Sequence, residues 1–149
     1  MDLHRAGGGP PTVRPTPGSV MPGDPLEAMA AMASAGAGEI LAQVTDDDGR
    51  GGGIDVSYLH DGAAIPALPL IVASGTGHPR HVAAALRTPG VAAVAIANIL
   101  SHSEQSVTTL KSWLRSNGID IRLDTAHDYL GGDFDSRGRP LPVRQAGGR

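Results

Sequence analysis

The segment from Ala73 to Gly77 combines glycines with hydroxyl side chains in a pattern that suits an oxyanion. Glycine has no Cβ, so backbone amides at Gly75 and Gly77 can approach an anion closely, and a helix that begins directly afterwards adds further N–H groups. The segment therefore predicts a phosphate-binding turn formed by Ser74, Gly75, Thr76 and Gly77. An ordinary tight turn between a strand and a helix fits the same residues, and the segment alone does not separate the two.

A run of three carboxylates, Asp46-Asp47-Asp48, followed by Gly49, offers a different chemistry. Such a cluster can act as a general acid or base, bind a polyhydroxyl substrate, hold a divalent metal, or form a solvated turn with no function. A calcium loop of the EF-hand type is disfavoured because its twelfth position, counted from Asp46, is Ser57 rather than an acidic residue. The histidines show no paired metal-ligand spacing, so we predict no metal site.

Asn98 and Ile99 follow a later apolar run, residues 91–97, and are candidates for the same ligand as the glycine turn. In βα barrels the loops after neighbouring late strands commonly share one phosphate. We therefore expect Asn98 and Ile99 to lie beside Gly75 and Gly77.

Apolar runs and helix signals alternate through the middle of the chain, and they must position these polar residues. Asp24 before Pro25 is typical of a helix start, and so is Ser106 before an amphipathic stretch. Short apolar runs predict buried strands, and the stretches between them predict helices. The predicted strands are 40–44, 68–73 and 91–97, and the predicted helices span 25–35, 56–63, 79–87 and 107–117.

This alternation, at intervals of roughly 25 to 30 residues, indicates an α/β fold with parallel strands joined by helical crossovers. An open doubly wound sheet and a (βα)8 barrel both remain possible at this point. In either architecture the ligand binds at the carboxyl ends of the strands. The polar or glycine residues expected there are Asp46, Asp48, Ser74, Gly75, Gly77 and Asn98.

The two ends of the chain have a different composition from the middle. Residues 1–23 contain ten Gly or Pro and almost no periodic apolar pattern, so we expect them to be disordered. Residues 126–149 are rich in Gly, Pro and Arg and are expected to form a flexible basic tail. The ordered domain is therefore predicted to span residues 24–125.

Composition excludes several classes of partner. The formal net charge is −3 and the basic residues are spread along the chain, so we expect neither nucleic acid nor a membrane surface as a partner. The apolar runs are shorter than the roughly 20 residues of a spanning helix, and no secretory signal is visible. With zero cysteines, the chain fits a cytoplasmic location.

Several segments occur in an informative order: GAGEIL at 36–41, DDDG at 46–49, PLIVASGTG at 69–77 and NGIDIR at 117–122. In order and spacing they resemble the cyclase subunit of imidazole glycerol phosphate synthase, a lyase family of histidine biosynthesis. The resemblance covers residues 24–124 almost without gaps. It implies a TIM-type (βα)8 barrel, of which this chain would supply about three βα units and the helix before them.

The resemblance also implies a chemistry. The family takes ammonia from a glutaminase partner subunit and delivers it through the barrel to a phosphorylated ribulosyl aminoimidazole carboxamide substrate. The resemblance implies no cofactor. By resemblance, Asp48 corresponds to the catalytic, substrate-contacting aspartate, and Glu39 lies at the entrance for ammonia. The residues that would bind the terminal phosphate are Ser74, Gly75, Thr76, Gly77, Asn98 and Ile99. The sequence departs from the family at Arg50, where threonine is usual, and at Asn98, where serine is usual.

The family's two main acid/base aspartates lie on barrel strands one and five, and we expect no strand before Asp24. Three strands are also too few to close a barrel. The chain is therefore interpreted as an enzyme component that needs a complementing barrel segment. The alternatives are a non-catalytic sugar-phosphate-binding remnant, a relative that serves sugar amidation in surface polysaccharide synthesis, and a truncated chain that does not fold stably.

Overall fold

The computed structural model describes residues 1–5, 9–14, 23–59, 67–102, 106–123, 134–136 and 141. Within these residues the chain forms one five-stranded sheet and four α-helices. The strands are β1 (Asp2–His4), β2 (Thr12–Val13), β3 (Ile40–Val44), β4 (Leu70–Ala73) and β5 (Val91–Ala95), and the helices are α1 (Pro25–Ser34), α2 (Pro79–Leu86), α3 (Ile99–His102) and α4 (Val107–Ser116).

The sheet has the order β2-β1-β3-β4-β5. Strands β1, β3, β4 and β5 run parallel, whereas β2 is antiparallel to β1 at the edge. The register pairs Gln43 with Ala73 and Ala73 with Ala95, so the carboxyl ends of three neighbouring strands lie side by side. The architecture confirms the predicted α/β class and is consistent with part of a TIM-type barrel, with the sheet left open.

The first residues of the chain require a correction to the sequence-based expectation. Residues 1–23 were expected to be disordered, but Asp2–His4 and Thr12–Val13 are strands of the sheet. Leu3 is fully buried, and the amide of Gln43 donates to the carbonyl of Met1 (3.0 Å). A three-residue strand with one apolar side chain is too short to show periodicity, which is why composition alone missed it. The helix expected to precede the sheet, α1, is instead the crossover between β1 and β3.

The predicted helix starts at Asp24 and Ser106 are confirmed. The Asp24 side chain accepts hydrogen bonds from the amides of Leu26 (2.9 Å) and Glu27 (3.0 Å), and Ser106 accepts one from Thr109 (3.1 Å). These bonds satisfy amides that would otherwise lack a partner at a helix start. The helix predicted at 56–63 is wrong for residues 56–59, which form only a turn, and residues 60–63 lie outside the described part of the chain.

The helices cover one face of the sheet. Alternate β3 residues Ile40, Ala42 and Val44 pack in one core with Ala28 and Met29 of α1. A second core joins α2 and α4 through five buried residues, Val82, Ala83, Leu110, Leu114 and Ile119. Because successive side chains of a strand point to opposite faces, Leu41 points away from the helices, and it is 46% exposed. The second face of the sheet is therefore uncovered at this position.

No helix within the described ranges is both long and apolar enough to cross a bilayer. The expected basic tail, residues 126–149, lies outside the described residues except for Phe134–Ser136 and Leu141. The carbonyl of Ser136 lies 3.1 Å from His78 Nε2, so this short segment contacts the start of α2.

Candidate functional site

Two adjoining cavities open at the carboxyl ends of β3, β4 and β5. The first, called here the sheet cavity, has a volume of about 200 Å³ and is lined by Gln43, Asp48, Gly49, Ala73, Ser74, Gly75, Thr76, Ala95, Ile96, Ala97 and Asn98. The second, called the loop cavity, has a volume of about 260 Å³ and is lined by Gly49, Arg50, Gly51, Thr76, Gly77, Asn98 and Ile99. The structure thus brings all the residues predicted to bind phosphate to one edge of the sheet.

Two hydroxyl groups at these cavities are buried without a hydrogen-bond partner in the described part of the chain, Ser74 Oγ and Thr76 Oγ1. Thr76, which lines both cavities, is only 7% exposed. A buried polar group without a partner costs about 1–3 kcal/mol. Such groups are expected where a ligand supplies the missing hydrogen bond.

The backbone at Ser74 is in the left-handed region, with φ of 82°. This conformation costs a residue with a side chain about 1–2 kcal/mol, and such residues cluster at functional sites. Gly75, which follows, also has a positive φ of 76°. The chain therefore turns sharply out of β4, and the side chain of Ser74 stays against the sheet cavity.

The glycines of the turn have a packing role in addition to the predicted one. A Cβ on Gly75 would overlap the carbonyl oxygen of Gly53 and lie 2.8 Å from its carbonyl carbon. A Cβ on Gly77 would lie 2.7 Å from the Cα of Gly51. The amide of Gly53 also donates to the carbonyl of Gly75 (2.8 Å). The loop after β3 therefore rests directly on the turn after β4, and both turn glycines are needed for that contact.

The amide of Gly77 is already engaged in the structure. It donates to His81 Nδ1 at 3.3 Å. Burial, aided by the neighbouring Arg80 and His78, lowers the pKa of His81 and so favours the neutral imidazole that can accept this bond. The expectation that Gly77 presents a bare amide to a phosphate is therefore not met in this state of the site.

The three carboxylates of the acidic run have different surroundings. Asp46 accepts a hydrogen bond from the amide of Arg5 (2.8 Å), which lowers the pKa of Asp46. Asp47 accepts from both terminal nitrogens of the Arg5 guanidinium (2.8 and 2.9 Å). Asp48 alone of the three lines the sheet cavity. This geometry leaves Asp48 as the carboxylate of the run that can meet a ligand there.

Arg5 also binds Asp55, so one guanidinium joins the end of β1 to two points of the loop after β3. These bonds raise the pKa of Arg5 above its usual range. Burial acts to raise the pKa of Asp55, but hydrogen bonds from Ser57 and Arg5 outweigh it, and the pKa is lowered. These bonds from Arg5 to Asp47 and Asp55 are called here the clamp. They were not predicted from the sequence, because Arg5 lies in the segment expected to be disordered.

The remaining predicted residues are clearly placed. Asn98 lies three residues after the end of β5, and its Nδ2 would lie 3.3 Å from a Cβ on Gly49. Ile99, the first residue of α3, lines the loop cavity. Glu39 is exposed and directly precedes β3, and four residue steps of about 3.3 Å separate it by roughly 13 Å from Gln43 at the sheet cavity. Gln43, which also faces the sheet cavity, was not predicted.

Within the described residues no group of three His, Asp or Glu side chains forms a candidate metal site. The arrangement suits an anion better, because it offers hydroxyl groups, an amide side chain and a loop arginine. Chemically, this end of the sheet can bind an oxyanion in the loop cavity and a polar group near Asp48 in the sheet cavity.

Comparison with known proteins adds an independent line of evidence. Residues 17–106 match the family model described as "Histidine biosynthesis protein". The chain is 33% identical over 123 residues to a putative imidazole glycerol phosphate synthase subunit hisF2 of Vibrio vulnificus, covering 83% of this chain and 45% of that protein. It is 37% identical over 101 residues to the subunit HisF of Thermococcus gammatolerans (68% and 40% covered) and 36% identical over 87 residues to that of Staphylococcus saprophyticus (58% and 34% covered). The chain therefore spans less than half the length of these relatives.

Proposed function

The chain belongs to the histidine biosynthesis protein family, and from this premise we propose that it forms the phosphate-binding side of an imidazole glycerol phosphate synthase cyclase-like barrel. Its ligand is a phosphorylated ribulosyl aminoimidazole carboxamide. The observation that carries the proposal is the pair of buried hydroxyl groups, on Ser74 and Thr76, that have no hydrogen-bond partner among the residues that the structure describes. A terminal phosphate supplies the acceptor oxygens that both need.

Each residue has a distinct role in this proposal. Thr76 and Ser74 donate hydrogen bonds to the phosphate, and the Asn98 side chain and the backbone at Ile99 contact it from the next strand. Gly75 and Gly77 hold the turn in place under the loop after β3. Asp48 contacts the sugar part of the substrate in the sheet cavity.

The cyclase reaction requires further barrel units, because the sheet of this chain is open. We propose that a complementing barrel segment provides these units, either as part of a longer chain or as a separate chain. By family relationship, ammonia comes from a glutaminase subunit, and Glu39 lies at the opposite end of the strands from the cavities, where ammonia would enter.

A specific observation favours a second candidate, a sugar-phosphate-binding protein without cyclase activity. By resemblance β3 is barrel strand six, so β1, its parallel neighbour, takes the place of strand five. β1 carries an aspartate, Asp2, so the acid/base residue without a counterpart in the described sheet is the aspartate that the resemblance implies on strand one. Turnover of the family substrate with ammonia, measured with and without a candidate N-terminal half, separates the two functions.

The binding proposal is tested by calorimetric titration with ribose 5-phosphate and with ribose. We expect the wild-type protein to bind the phosphorylated sugar only. Thr76→Val keeps the side-chain shape and removes Oγ1, so we expect binding about tenfold weaker or worse. Its thermal stability should equal or exceed that of the wild type, because a buried hydroxyl without a partner is lost. Equal affinity for ribose and ribose 5-phosphate, or unchanged binding by Thr76→Val, would refute the proposal.

A further inference from the structure

Arg50 is placed over the loop cavity by the glycines on either side of it. Gly49 lies against the Asn98 side chain, where a Cβ would come within 3.3 Å of Nδ2, and Gly51 lies against the backbone of Gly77, where a Cβ would come within 3.5 Å of Cα. Both flanking glycines have a positive φ, 75° and 66°. The loop therefore carries Arg50 across the space between the turns after β4 and β5. Arg50 lines the loop cavity, and it also lines a neighbouring cavity with Arg5, Asp47 and Asp55.

The neighbouring carboxylates are occupied by a different arginine. Arg5 binds both oxygens of Asp47 and also binds Asp55, whose other oxygen accepts from the amide of Ser57 (2.8 Å). Arg50 forms no ion pair with any residue in the described ranges. Arg5 thus binds Asp47 and Asp55, while Arg50 is exposed at the cavity.

The loop cavity itself is built to receive a polar ligand. Thr76 lies in its wall with Oγ1 buried and without a partner among the described residues, and Asn98 with its amide side chain also lines the cavity. Its volume of about 260 Å³ exceeds the roughly 30 Å³ share of one water molecule several-fold. A tetrahedral oxyanion therefore fits between the hydroxyl, the amide and the guanidinium.

We propose that Arg50 is a specificity-determining residue that binds the terminal phosphate in the loop cavity and makes the site select a doubly charged phosphate monoester. This inference rests on the proposed function and extends it by naming the residue that supplies the positive charge. Guanidinium binds phosphate oxygens through two parallel N–H groups, and such charge-assisted bonds are about twice as strong as neutral ones. Without Arg50, the cavity offers only neutral donors among its lining residues.

The test uses the full chain, titrated calorimetrically with inorganic phosphate and with ribose 5-phosphate. We expect Arg50→Gln to weaken both affinities by about tenfold to a hundredfold, and Arg50→Lys to weaken them less, because a lysine keeps the charge and loses the paired geometry. The matched control is Arg115→Gln, which removes the same charge from the exposed last turn of α4 and should leave both affinities unchanged. Thermal unfolding of Arg50→Gln should match the wild type, since Arg50 has no ion pair with the described residues to lose.

The outcomes separate the two proposals. If the wild type binds both probes and Arg50→Gln binds them within about twofold of the wild type, the role of Arg50 is overturned and the phosphate site stands. If Arg115→Gln weakens binding as much as Arg50→Gln, the effect is one of net charge, and the specific role is again overturned. If the wild type binds neither probe, the proposed function and the role of Arg50 fail together.

Discussion

At the scale of single residues, the turn after β4 combines strain, close packing and unused hydrogen-bonding capacity. Ser74 holds a left-handed backbone conformation, Gly75 touches the loop backbone, and Thr76 buries a hydroxyl without a partner. The sequence predicted that this segment is a special turn, because two glycines follow an apolar run. It could not predict the partner of the turn, because the contact is between backbones that are more than twenty residues apart.

The close contact at Gly75 predicts a stability difference between two glycine variants. Gly75→Ala places a Cβ into the carbonyl of Gly53 at a positive φ, so we expect it to lower the free energy of unfolding by about 3 kcal/mol. Gly36→Ala is the matched control: its φ is also positive, 92°, but no atom lies within 4 Å of the added Cβ, and the expected loss is about 1 kcal/mol. Urea unfolding of both variants measures the difference. Equal losses would mean that the loop does not rest on Gly75.

At the scale of elements, one side chain joins the first strand to the loop that carries Asp48 and Arg50. Arg5 follows β1 directly and binds Asp47 and Asp55 on the loop after β3. The helix starts and apolar strands were predictable, since capping residues and apolar runs are local signals. The strand β1 and its clamp were not predictable, because they depend on pairing with β3, about forty residues away.

The clamp predicts a pH-dependent stability. Arg5→Met removes the charge and leaves Asp47 and Asp55 unpaired, so we expect a loss of about 1 kcal/mol near neutral pH, a modest value because the groups are partly exposed. The pKa of Asp55 is lowered in the folded protein. The contribution of Asp55 to the free energy of unfolding is therefore complete above its unfolded pKa of about 4. It is lost as the pH falls through the lowered pKa of the folded protein.

Denaturant unfolding of the wild type and Arg5→Met across this pH range is the measurement. The difference between the two proteins should shrink as the pH falls below about 4. Arg115→Met, on the exposed end of α4, serves as the control and should show no such trend. A difference that stays constant with pH would show that Arg5 acts through packing alone.

At the scale of the whole molecule, the described residues form an open sheet of four parallel strands and one antiparallel edge strand, with helices on one face. Its α/β class and the grouping at one edge of the residues predicted to bind phosphate followed from the sequence, because strand–helix alternation fixes which ends of the strands meet. The fourth parallel strand, β1, was not predicted from the sequence. The uncovered side of the sheet at Leu41 and the partial coverage of the relatives agree with a barrel whose other units lie elsewhere.

The proposed function requires that the turns after β4 and β5 together bind one phosphate. The most direct test is a titration of the isotope-labelled protein with ribose 5-phosphate, followed by the backbone amide shifts in nuclear magnetic resonance spectra. We predict saturable shifts at Ser74, Gly75, Thr76, Asn98 and Ile99, with Gly36 and Gly118 unchanged. Saturable shifts that avoid these turns, or the absence of any saturable shift, would contradict the account.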